Sequence, residues 1–210
     1  MGSQPAPPTV EEAMLRAPRA DYLPGGMRHA AGLDRPLSIG DGVTNSQPST
    51  VRTMLELLEV RPGQRVLDVG SGSGWTTAIL AHLVGPEGSV LGVELIERLV
   101  RESSDRLRSA GLANAAVRVA DPDALGAPDE GPFDRILVSA EASEVPGELV
   151  DQLTDGGVMV AVVQDRLVRR VVDGRVDGRV RRVGSAFEVE RVERLQARGL
   201  EAVAGRVLAQ

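Results

Sequence analysis

Between Arg65 and Val163 the chain repeats one pattern: a run of four to seven mostly apolar residues, a turn, then a longer stretch with apolar residues at helical spacing. Arg65–Val69, Val90–Val93, Ala116–Ala120, Phe133–Ser139 and Val158–Val163 read as strands. Ser73–Val84, Ile96–Ala110 and Val145–Leu153 read as the helices between them. Strands this apolar are buried on both faces, and strands joined through helices run parallel. The pattern therefore predicts an α/β fold with a doubly wound, mostly parallel, Rossmann-like sheet. Beyond Gln164 the alternation stops. Asp173-Gly174 and Asp177-Gly178 separate valine- and arginine-rich stretches there, a hairpin signal that predicts antiparallel strands at the C-terminal end of the sheet. Glu188–Leu208 fits a helix or a strand equally.

Upstream, Val10–Arg19 suits a short helix with Thr9 as N-cap and Glu11 and Glu12 in its first turn, stopping near Pro18. Glycine, proline and polar residues dominate Tyr22–Gln47, a length that predicts a functional segment, here a lid on the substrate side. Pro48 then opens a helix whose buried face carries Val51, Met54, Leu55 and Leu58. The organisation expected is an N-terminal helical and lid segment (1–60), a core (61–183) and a C-terminal extension (184–210), forming one compact domain.

Composition removes several chemistries. There is no cysteine, so disulfides, thiolate metal sites and cysteine nucleophiles are excluded. Only two histidines, His29 and His82, are present, both read as structural, and no metal site is expected. All 24 basic residues are arginine, which excludes Schiff-base lysines and lysine-dependent phosphate loops. Tyr22, Trp75, Phe133 and Phe187 are too few for stacking on single-stranded nucleic acid, and a formal charge of −6 opposes general polyanion binding. Trp75 is expected to pack the first turn of its helix. No run is long enough to span a membrane, and Met1–Thr9 lacks the pattern of a secretory signal, so a cytoplasmic protein is expected.

The chemistry-bearing motif is Asp68-Val-Gly70-Ser71-Gly72-Ser73-Gly74, between a strand and a helix. Glycines there let the backbone turn and approach a ligand beside the free amides of the helix start. The spacing is G-x-G-x-G, not the G-x-G-x-x-G of dinucleotide folds, which makes a nicotinamide oxidoreductase a distant reading. Glu94 ends the next strand 24 residues after Gly70, where an acid accepts ribose hydroxyls. Together they suggest a nucleoside cofactor without a diphosphate, and S-adenosyl-L-methionine fits. Asp121 ends the third strand and faces an adenine amino group or simply makes a turn with Pro122 and Asp123.

Taken in order, Arg35-Pro-Leu-Ser-Ile-Gly40, Val43-Thr-Asn-Ser-Gln-Pro48, Val66-Leu-Asp-Val-Gly-Ser-Gly-Ser-Gly74 and Pro132-Phe-Asp-Arg-Ile136 resemble the protein-L-isoaspartate O-methyltransferase family. Val145-Pro146, Leu149, Gln152-Leu153 and Gly156-Gly157 continue the match, which runs from about Val10 to Val163 and more loosely to Val183. The glycine motif alone indicates a class I methyltransferase, whereas Thr-x-Ser-Gln-Pro is more family-specific.

The resemblance implies a carboxyl methyltransferase that uses S-adenosyl-L-methionine on isoaspartyl residues of proteins or peptides. It makes Ser46 the active-site serine, with Val43, Thr44, Asn45 and Ser46 at the cofactor's methionine end. Gly70, Ser71 and Gly72 match the cofactor loop, Glu94 the ribose acid, and Asp121 with Pro122 the adenine edge. Local sequence also allows Ser46 to be the N-cap of the helix at Pro48. A substrate carboxylate is already ionised near neutral pH, so no base is required, consistent with the missing cysteine and lysine.

The chain departs from the family's usual pattern at Asp41, Asn45 and Pro122, and in Ala140-Glu141-Ala142-Ser143, where small residues are usual. A Glu141 side chain in the pocket would repel an anionic substrate. The family's usual Phe-Val-Pro-Leu stretch has Ala186-Phe-Glu-Val-Glu-Arg roughly in its place. Two alternatives follow: a relative methylating another carboxylate, such as an aspartate of a specific peptide, and a non-catalytic cofactor-binding protein. Seven arginines between 166 and 182 read as a solvated strand face or as a site for an acidic partner.

Overall fold

The computed structural model describes residues 6–164, 166–172, 175–176, 179–180 and 183–189; for Glu141 and from residue 175 onward it describes the backbone alone. Helix α1 (Val10–Arg16) opens with a capping box, in which Thr9 Oγ1 accepts from the Glu12 amide and Glu12 returns an acceptor to the Thr9 amide. It ends at Arg16, three residues before the expected limit, because Ala17 precedes Pro18 and is held out of the helical region.

The stretch expected as a lid carries regular structure. After a 3-10 turn at Arg19–Tyr22 it forms a second at Gly25–Ala30, then a hairpin of β1 (Leu37–Gly40) and β2 (Val43–Asn45). Leu23, Ala30, Leu37, Ile39 and Val43 make a small core of their own. Leu99 of helix α4 (Glu97–Ser109) joins that core, which seats the hairpin on the main body.

Helix α2 (Pro48–Leu58) leads into the sheet. Its strands are β3 (Arg65–Val69), β4 (Ser89–Glu94), β5 (Ala115–Val119), β6 (Phe133–Ala142), β7 (Leu153–Val163), β8 (Arg166–Val172) and β11 (Val183–Val189), with a short pair β9 (Arg175–Val176) and β10 (Arg179–Val180) apart from it. The order is β11-β8-β7-β6-β3-β4-β5. The five strands from β7 to β5 are parallel, and β8 and β11 add antiparallel, as the sequence predicts. Both Asp-Gly pairs lie outside the described residues, as does the Glu188–Leu208 segment beyond Val189.

One face of the sheet packs Val66, Leu137 and Val160 against Leu55 and Leu58 of α2 and Ile79 and Leu83 of helix α3 (Trp75–Val84). The other packs Leu67, Ile136 and Met159 against Phe133, Leu149 and Leu153. Strand order reverses between β3 and β6, which opens a crevice at their carboxyl ends.

Further expectations change. The helix expected over Val145–Leu153 is only α5 (Gly147–Asp151). Gln152 instead uses its side-chain amide to accept from the Ala127 amide at 2.8 Å and donate to the Leu125 carbonyl at 2.7 Å, and Leu153 already begins β7. Strand β6 runs three residues past Ser139, through a register break between Val138 and Glu141. Among the arginines of the 166–182 cluster, Arg169 neither faces solvent nor waits for a partner. It donates to the Leu57 carbonyl at 2.8 Å and pairs with Glu59 at 3.1 Å, tying β8 to the end of α2. Among the described residues no helix is long and apolar enough to cross a membrane.

Candidate active site

The glycine loop leaves β3 at Val69 and turns through Gly70 at a φ of +76°. A Cβ there would sit 3.3 Å from Ala140 Cβ, so the loop lies close against the bulged end of β6. Asp68, fully buried in β3, holds this junction together. Its Oδ2 accepts from the hydroxyls of Thr76 at 2.6 Å and Thr77 at 2.7 Å, and its Oδ1 from Ser139 at 2.9 Å. Burial pushes the Asp68 carboxyl above its ordinary pKa, while the three hydroxyls pull it back. Sequence reasoning gave Asp68 no role; an acid in the middle of an otherwise apolar strand was the available signal.

Glu94, only 6% exposed at the end of β4, faces the same loop. Its Oε2 accepts from the Gly72 amide at 2.9 Å and its Oε1 from the Ile96 amide at 3.0 Å. Each carboxylate oxygen has two acceptor positions, so each retains one for a ligand hydroxyl. Ser71 Oγ is buried without a hydrogen-bond partner and abuts Gly92 of β4.

On the opposite wall, β2 brings up Val43, Thr44, Asn45 and Ser46. The capping alternative for Ser46 does not hold. Gln47 is the N-cap of α2 without a side-chain cap bond, and the free Ser49 amide is met by Asp34 Oδ1 at 2.9 Å. Among the described residues the Ser46 hydroxyl has no hydrogen-bond partner. Asn45, by contrast, is committed: its Oδ1 accepts from Arg19 Nε at 2.6 Å and its Nδ2 donates to Ser73 Oγ at 3.0 Å, which links the hairpin to the glycine loop. Arg19 was not read from the sequence as a site residue. It is 6% exposed and lies over the Trp75 ring at 5.5 Å. Trp75 is buried as expected, with its indole N–H on the Ala17 carbonyl at 2.9 Å.

Between these walls lies a cavity of about 760 Å³. Every sequence-predicted site residue borders it: Val43, Thr44, Asn45, Ser46, Gly70, Ser71, Gly72, Glu94, Asp121 and Pro122. Asp121 makes the expected turn, its Oδ1 accepting from the Asp123 amide at 2.9 Å, and the residue also edges the cavity beyond β5. Asp41, Ser139 and Ala140 also line it, and among the described residues the lining holds no cation. The Glu141 side chain lies outside what is described. His29 and His82 are not in the lining, and among the described residues no His, Asp and Glu cluster is arranged to hold a metal.

The size suits a nucleoside with an amino-acid arm. A loop free of side-chain bulk at Gly70 and Gly72, with a carboxylate behind it holding spare acceptor capacity, also suits a ribose.

A family model described as protein-L-isoaspartate(D-aspartate) O-methyltransferase matches residues 5–183. A protein-L-isoaspartate O-methyltransferase of Methanopyrus kandleri is 43% identical over 175 residues, 82% of this chain and 77% of that protein. One from Ignicoccus hospitalis is 44% identical over 156 residues, 74% of each chain. A solved beta-aspartate methyltransferase of Plasmodium falciparum, in complex with S-adenosyl-L-homocysteine, superposes with a TM-score of 0.69 at 25% identity, over 90% of this chain and 89% of that one. By the extent of the family match and the identity to these relatives, the chain belongs to the protein-L-isoaspartate(D-aspartate) O-methyltransferase family.

Proposed function

We propose that the protein is an S-adenosyl-L-methionine-dependent carboxyl methyltransferase acting on L-isoaspartyl residues of proteins or peptides, in the cytoplasm. The observation that carries this reading is the cavity at the sheet's switch point, lined on one side by Ser46 and on another by a glycine loop backed by a buried glutamate.

In this reading Gly70, Ser71, Gly72 and Glu94 hold the cofactor's nucleoside, Asp121 and Pro122 its adenine edge, and Val43 to Ser46 its methionine end. When bound, the cofactor supplies an electrophilic methyl group on a sulfonium that leaves as a neutral thioether. The residues' task is then positional. Ser46 donates its hydroxyl to one oxygen of the substrate carboxylate and leaves the other free to attack. Among the described residues the lining offers the substrate carboxylate no cation, so its charge is not drained into an ion pair there and remains nucleophilic. Enclosure between the hairpin and the sheet removes water from the reacting oxygen, and such alignment is worth up to about 7 to 11 kcal/mol of barrier. In this reading the hairpin of the N-terminal segment closes the substrate side of the sheet core.

Calorimetry with S-adenosyl-L-homocysteine and NAD, followed by transfer of labelled methyl to an isoaspartyl peptide, tests the reading. Binding of the first ligand only, with transfer, is the expected result; binding without transfer to any acidic peptide would leave a cofactor-binding protein in its place.

A further inference from the structure

We infer that Arg19 is the positioning residue for Ser46, an inference that rests on the reading of Ser46 as the group that meets the substrate. Arg19 lies 27 residues before Ser46 and does not border the cavity. Its guanidinium nevertheless touches every part of the segment that carries the serine. Nη2 donates to the carbonyls of Ser46 at 2.9 Å, Arg35 at 2.8 Å and Asn45 at 3.1 Å. Nη1 donates to the carbonyls of Leu33 at 2.9 Å and Ala31 at 3.3 Å, and Nε to Asn45 Oδ1 at 2.6 Å.

Those six acceptors use all five N–H groups of the fork, one of them shared. Among the described residues no carboxylate lies within ion-pair distance of it, so the cation is held at close range by carbonyl oxygens and the Trp75 ring, with Asp34 favouring its charge from further off. Burial lowers its pKa to about 10, which leaves it charged at neutral pH. Since Trp75 begins the helix after the glycine loop, Arg19 contacts both that helix and the Ser46 backbone. A lysine keeps the charge but has three donors without a planar fork, and cannot span these acceptors.

The test is a double-mutant cycle read in kcat for an isoaspartyl peptide and in affinity for S-adenosyl-L-homocysteine. Arg19→Lys is expected to lower kcat about 10- to 100-fold, as misplacement of a reacting contact does, with cofactor-product affinity within about threefold of wild type. In the Ser46→Ala background the same substitution is expected to cost little more, because both remove one function. An Arg19→Lys loss that is equally large with and without Ser46, or an affinity that falls in step with kcat, overturns the proposal. A Ser46→Ala enzyme as active as wild type instead removes the reading of Ser46 beneath it. Should Arg19→Lys show no cooperative unfolding, Arg19→Gln replaces it, since it stays outside the cavity lining and keeps a planar amide donor while losing most of the fork. Its kcat loss must vanish in the Ser46→Ala background, and persistence there likewise overturns the proposal.

Discussion

Glu94 and Gly72 are joined by a 2.9 Å hydrogen bond from the loop amide to the carboxylate, so the acid proposed to hold the ribose also fixes the loop that receives it. Substituting Glu94 by alanine removes a ligand acceptor and frees the Gly72 and Ile96 amides together. Affinity for S-adenosyl-L-homocysteine is expected to fall by about 1 to 3 kcal/mol in calorimetry. Unchanged affinity would take Glu94 out of the site.

Asp34 and Ser46 divide two tasks that local sequence assigned to one residue. Because Asp34 serves the Ser49 amide, Asp34→Ala should lower stability by about 1 kcal/mol in denaturant unfolding, the ordinary cost of a lost cap. Ser46→Ala should leave stability nearly unchanged and reduce kcat more than cofactor affinity. A stability loss for Ser46→Ala comparable to that of Asp34→Ala would restore its capping role.

Asp68 gives the protein a pH dependence of stability. Its folded-state pKa is raised, so the folded state holds the proton more tightly than the unfolded one. The stabilising contribution is therefore complete below the unfolded value of about 3.9 and is lost as pH rises through the folded value. Asp68→Asn removes that titration, so its penalty in thermal midpoint is expected to shrink as pH rises from about 4 to 8. A penalty that grows with pH would show that the charged form is the stabilising one.

Gly92 faces the glycine loop from behind. A Cβ there would lie 2.9 Å from Val117 Cγ2 and 3.0 Å from both Cβ and Oγ of Ser71. Gly92→Ala should displace Ser71 and weaken cofactor-product binding although residue 92 borders no part of the cavity. Wild-type affinity in that variant would show that the loop tolerates the shift.

The parallel core and the glycine loop were legible because their signals are local: each apolar run must be covered on both faces, and Glu94 follows the loop at a telling spacing. Arg19 was not legible. An arginine after Ala17-Pro18 looks like any surface cation, and its burial depends on carbonyls 12 to 27 residues away that converge only after the hairpin forms. The capping reading of Ser46 stayed open for the same reason, since Asp34, which serves the helix amide instead, lies 15 residues before Ser49. The bulge that sets Ser139 and Ala140 beside Gly70 leaves no pattern in β6, because it arises from pairing with β7. Gln152 likewise ends α5 through contacts with Leu125 and Ala127, which no helical periodicity encodes.

The most direct test of the central claim is methyl transfer from labelled S-adenosyl-L-methionine to two peptides that differ only in an isoaspartyl or an aspartyl linkage. Label on the isoaspartyl peptide alone is the predicted result. Label on the aspartyl peptide with none on its isoaspartyl twin would contradict it and point to a dedicated modifier of aspartate side chains.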